Sequence, residues 1–200
     1  MKTTEKHSAD HPPAFDADSF LFMKVGNHAG ESFDQIVARK QREFDDAGMI
    51  FWGYGGSACH PLTQVQPFVS AIIGAGGIPT LVMQYISSTM DQGQHEATEY
   101  SKDGINWEPV PEGIHVTGSR HAIVIDEITE GDFLLDTTRF KVGVGPSQGK
   151  SANEYLRGRT DKACLVVDPA KSAEFAADAK DLKVITHQAK LKDPFAVLLR

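Results

Sequence analysis

Three short apolar runs alternate with two segments of helical spacing, and this alternation limits the fold more than any other feature of the chain. The runs are residues 19–25 (Ser-Phe-Leu-Phe-Met-Lys-Val), 49–54 (Met-Ile-Phe-Trp-Gly-Tyr) and 78–86 (Ile-Pro-Thr-Leu-Val-Met-Gln-Tyr-Ile). They are too short and too uniformly apolar for surface helices, so they read as buried strands. Between the first two, Phe33, Ile36, Val37 and Phe44 recur at helical spacing with Arg39, Lys40, Arg42 and Glu43 between them. Gly48 stands where a left-handed C-terminal cap belongs. Between the second and third runs, Pro61 opens a helix predicted to reach Ile73, and Gly74, Gly76 and Gly77 end it. Strand, helix, strand, helix, strand is the order of a parallel, right-handed βαβαβ unit.

A parallel arrangement places the turns at 26–30, 55–60 and 87–93 on one carboxyl edge, where open α/β sheets bind ligands. That edge gathers His28, Ser57, Cys59, His60, Ser87, Ser88 and Asp91. Its centre is the stretch Phe51 to Gln64. There Gly53, Gly55 and Gly56 permit close approach of another group to the backbone, and the helix opening at Pro61 leaves unpaired N–H groups suited to an anion. Trp52 and Tyr54 flank Gly53 and suit stacking on a planar ring, although packing in the core is the commoner role of such aromatics. A thiol at a helix N-terminus beside an imidazole has its pKa lowered, which makes Cys59 a candidate nucleophile with His28 or His60 shuttling the proton. The bland account of the same residues is a small buried hydrophobe and a helix cap.

The second half changes character. Asp103-Gly104 between alternating runs predicts a hairpin with strands at 97–101 and 105–110. Further strands are expected at 121–127, 132–135, 139–143 and 162–168, with turns at Gly118-Ser119 and Glu130-Gly131-Asp132. A helix over 169–180, opened by Asp168-Pro169, leads to closing strands at 183–188 and 194–199. The fold class is therefore α/β or α+β with a mixed sheet: an N-terminal βαβαβ half followed by an antiparallel, hairpin-rich half. We read residues 19–200 as one globular domain behind a flexible tail at 1–18, where charge and prolines leave little surface to bury.

A second candidate site lies in residues 139–162. Six basic and two acidic side chains give this window +4 within a chain of net charge −7, so the basic charge is clustered. Gly149, Lys150 and Ser151 follow a strand and precede a short helix, the layout of a phosphate cradle. The phosphate-loop pattern asks for glycine where Val144 stands, which argues against a nucleoside triphosphatase. Arg157 and Arg159 carry the planar forks that recognise phosphate or carboxylate. A solvated loop between a strand and a helix is the plain alternative.

His95-Glu96 lacks the second histidine of a zinc-protease helix, since position 99 is Glu99, and His115 and His121 merely flank a turn; no metal site is read from the sequence. The net charge of −7 argues against non-specific nucleic-acid or anionic-membrane partners. The first residues have no apolar core, so neither a secretory signal nor an anchor is expected there, and two cysteines in different settings fit a reducing cytoplasm. The reading that follows is a cytoplasmic domain binding a small phosphorylated or nucleotide-like ligand. Its contacts are Trp52, Tyr54, Gly55, Gly56, Ser57, Gly149, Lys150, Ser151, Arg157 and Arg159. The alternative is a hydrolase or transferase using Cys59 with His28 or His60.

Overall fold

A computed structural model describes residues 12–28, 30–54, 60–90, 95–157, 160–171 and 181–200. The first expected strand forms as β1 (Ser19–His28), and its two faces are both buried, as its uninterrupted apolar character requires. Phe20 and Phe22 face one cluster with Val82, Leu135, Phe140 and Leu165, while Leu21, Met23 and Val25 face another with Ile50, Trp52 and Ile123.

Helix α1 (Phe33–Ala47) follows. A reciprocal capping box starts it: the Ser32 hydroxyl accepts from the Gln35 N–H at 3.3 Å and the Gln35 side chain accepts from the Ser32 N–H at 2.8 Å. Gly48, at φ 68°, ends it by donating its N–H to the Phe44 carbonyl. The buried positions of α1 are Phe33, Ile36, Lys40 and Glu43, so two charges expected on the solvent face instead lie on the inward stripe. Strand β2 (Ile50–Gly53) comes next, then a π-type turn at Pro61–Val65 that runs into α2 (Gln66–Gly74), and then β3 (Thr80–Met90).

Beyond these lie β4 (Glu99–Ser101), β5 (Glu108–Pro109), β6 (His121–Asp136), β7 (Phe140–Val142), the one-turn helix α3 (Ala152–Tyr155), β8 (Lys162–Val167) and β9 (Leu182–Leu199). The hairpin at Asp103-Gly104 forms between β4 and β5. Two pairs of expected strands are single strands. In β6 no turn forms at Glu130-Gly131-Asp132; a register irregularity absorbs these residues, and Gly131 leaves room for the Phe133 ring against its backbone. In β9 the expected closing strands are continuous through an irregularity at the cis Asp193–Pro194 bond and Phe195, whose φ is 68°. Residues 168–171 form a turn; the rest of the helix expected at 169–180 lies outside the described residues.

The described strands make one mixed sheet of nine, in the order β2-β6-β9-β3-β1-β8-β7, with β4 and β5 attached beside β9. Only part of the expected parallel unit survives. β1 and β3 are parallel neighbours, whereas β2 lies at the far end of the order, antiparallel to β6. β2 pairs instead with β6, whose buried residues 122–125 lie opposite Ile50–Gly53; β6 in turn pairs antiparallel with β9 along most of its length.

Residues 12–18, read from the sequence as tail, are tied down in the structure. Ala14 bridges Leu134, and Phe15 is buried against Phe20 with ring centroids 4.9 Å apart. The buried ring acts together with backbone hydrogen bonds, from the Phe15 N–H to Leu134, from the Leu134 N–H to Pro13 and from the Val167 N–H to Asp18. No helix among the described residues is long and apolar enough to cross a membrane.

Candidate functional site

The sheet is strongly curled. β2 and β1 are separated by β6, β9 and β3, yet the Trp52 indole N–H donates to the Met23 sulfur at 3.1 Å, and the Lys162 ammonium lies 5.3 Å from the centre of the Tyr54 ring. The end strand thus folds back over β1 and β8, and α1 packs into the angle. The curl leaves a cavity of about 380 Å³ between β1, β2, α1 and the segment 115–119. Met23, Val25, Ile36, Trp52 and Val116 supply its apolar wall. Its polar groups include His28, Glu31, Arg39, Glu96, His115 and Asp161, with Lys24, Lys40 and Lys162 beside them.

The charges are organised by α1. Arg39 holds Glu31 with Nη2 to Oε2 at 2.8 Å and reaches Glu43 at 3.3 Å. That hydrogen bond pulls the Glu31 carboxyl below its ordinary range and raises the Arg39 guanidinium. Next to Arg39 in sequence, the buried Lys40 ammonium donates to both Glu43 oxygens, to the Phe51 carbonyl and to the His115 carbonyl, each at 2.8 Å. Glu43 also accepts from the His115 N–H at 3.2 Å. Burial pushes Lys40 down to about 8 and Glu43 up. Because every Lys40 proton is directed at an acceptor, this side chain is a clamp: it binds the free edge of β2 and segment 115–119 to α1 and so fixes two walls of the cavity.

At the mouth, His115 Nδ1 lies 2.7 Å from Glu96 Oε1, with both side chains more than half exposed. Lys24 donates to the Leu156 carbonyl, and burial followed by the nearby Lys183 lowers its pKa. Lys162 pairs with Asp161 at 2.8 Å.

Of the residues singled out in the sequence, Trp52 and His28 line this cavity. Tyr54 does not: it is 2% exposed, sits in the core and donates its N–H to the His121 carbonyl. His60 closes the chain onto the Pro61 turn, and its ring meets that of His121 with centroids 5.4 Å apart. Burial, then the charge of His60, lowers the His121 pKa. Cys59, Gly55, Gly56, Ser57 and Arg159 lie outside the described residues.

The segment holding Gly149, Lys150 and Ser151 sits at the β7 edge, outside the cavity lining. There the Gly149 N–H donates to Val142, Lys150 is exposed and Ser151 bonds the Asn153 side chain. Arg157 is half-exposed and paired with Asp181 at 3.0 Å. The basic cluster of 139–162 is therefore divided: Lys162 reaches the cavity, and Lys150 and Arg157 do not line it.

The sequence reading missed Arg39, Lys40, Glu43 and the Glu96–His115 pair. One signal was available. Lys40 falls seven residues after Phe33 and four after Ile36, on the apolar stripe itself, and a charge on that stripe marks a buried polar network. Neither the protein-family models, nor the curated proteins, nor the solved structures compared with this chain contain a match.

Proposed function

We propose that the protein binds a small phosphorylated or nucleotide-like ligand in the cavity beside Trp52. The observation that carries this reading is the composition of the cavity, whose lining joins Trp52 and apolar side chains to Lys24, Arg39 and Lys162. A planar ring packs on the first and an anionic group on the second. The volume of about 380 Å³ falls in the range of small-molecule sites. Glu31 and Asp161 in the same rim add acceptor oxygens, which favour a ligand that also donates, as nucleobases and sugars do, over bare phosphate. A cytoplasmic setting belongs to this reading, supported by Cys164 packed as an ordinary core side chain. The alternative, hydrolase or transferase chemistry with Cys59 as nucleophile, is favoured by one observation, that His28 lines the cavity.

The test is thermal unfolding against nucleoside monophosphates and sugar phosphates, repeated with Lys24→Gln and Lys162→Gln. A ligand that prefers the folded state raises Tm by mass action, and each substitution should shrink that rise in a salt-dependent way. Equal rises in all three proteins would remove the basic rim from the account.

A further inference from the structure

His60 and His121 come from separate parts of the chain, one just before the Pro61 turn and the other at the start of β6. Both backbones are held: the His60 carbonyl accepts from the Gln64 N–H at 2.8 Å, and the His121 carbonyl accepts from Tyr54 at 2.8 Å. Their rings meet edge to face, with planes inclined at 67° and centroids 5.4 Å apart. In each ring Nδ1 is shielded from solvent and has no hydrogen-bond partner among the described residues. A buried polar atom left unpaired is costly, and such atoms are uncommon unless an ion or water serves them. One ion held between the two neighbouring rings would serve both.

We propose that His60 and His121 together bind a divalent transition metal ion of the zinc class. Imidazole nitrogen suits zinc, copper and nickel, and it binds through its lone pair without adding charge. With Zn–N distances of about 2.0–2.1 Å and a tetrahedral angle, two imidazoles sharing a zinc have centroids about 5 Å apart. The observed 5.4 Å lies close to this. Two protein donors leave the remaining positions to water or an exogenous ligand. With two protein donors the site binds more weakly than a four-ligand structural site.

The test is zinc chloride added to the full chain, read from the ring-nitrogen signals of the histidines in nitrogen-15 spectra and from calorimetry. The His60 and His121 nitrogens should shift together at lower zinc than those of His28, His95 and His115. His60→Gln and His121→Gln should each weaken zinc binding by about tenfold or more, and His95→Gln should leave it unchanged. If a substitution prevents folding, the spectra of the unaltered chain decide. Ring nitrogens of His60 and His121 that stay in place at millimolar zinc, or affinities equal in all variants, would overturn the proposal.

Discussion

The indole N–H of Trp52 meets the sulfur of Met23 at 3.1 Å, joining two strands that have three others between them in the sheet. This contact marks where the sheet curls onto itself, and the cavity lies beside it. Trp52 is 4% exposed, so Trp52→Ala removes a large packed ring and should cost about 3–5 kcal/mol. Met23→Leu nearly conserves volume but removes the acceptor of the indole N–H, and should cost about 1–3 kcal/mol. Urea unfolding of both variants checks the order.

Lys40 and Glu43 give a sharper contrast. Both are almost fully buried, and Lys40→Met leaves the Glu43 carboxylate with only Arg39 at 3.3 Å as a cation, which should cost about 3–5 kcal/mol. Adding Glu43→Leu to it removes the stranded charge and should restore a large part of that loss. A double variant as unstable as the single one would mean that the lost bonds to the Phe51 and His115 carbonyls dominate instead.

Much of the fold was legible because local signals and tertiary structure agree. Ser32, Gln35 and Gly48 define α1 by side-chain chemistry that acts within a few residues, and Asp103-Gly104 does the same for the β4–β5 hairpin. Strand partners were not legible. That β2 would join β6 depends on a pairing between residues 50–53 and 122–125, which no local pattern in either segment specifies. The site followed the same division. Trp52 and His28 were recognisable by type, but the Lys40 clamp arises only when segment 115–119 and the edge of β2 meet on α1.

Gly26 is fixed by a close approach that sequence could not show. A methyl group there would lie 2.3 Å from the Ser88 carbonyl oxygen, a backbone atom of the paired strand. Gly26→Ala should force β1 and β3 apart at the cavity, costing about 1–3 kcal/mol in chemical denaturation.

Asp103 provides a pH signature. The N–H groups of Asn106 and Ile105 and the Asn106 amide hold its carboxylate well below the ordinary value of 3.8. A depressed folded-state value means stability that is fully present above 3.8 and lost as pH falls toward the folded value. Stability measured between pH 5 and about 2 should therefore fall less steeply in Asp103→Asn than in the unaltered chain.

The most direct measurement uses Trp52 as its own reporter. The chain has two tryptophans, and Trp107→Phe keeps an aromatic ring for Arg200 to stack on while leaving Trp52 as the sole indole. Titrating that variant with AMP and GMP, with ribose 5-phosphate as the ring-free control, should give a saturable change in emission for at least one nucleotide and a smaller one for the control. Flat emission with both nucleotides, or binding by calorimetry that leaves the Trp52 signal untouched, would contradict a nucleotide-like ligand seated in this cavity.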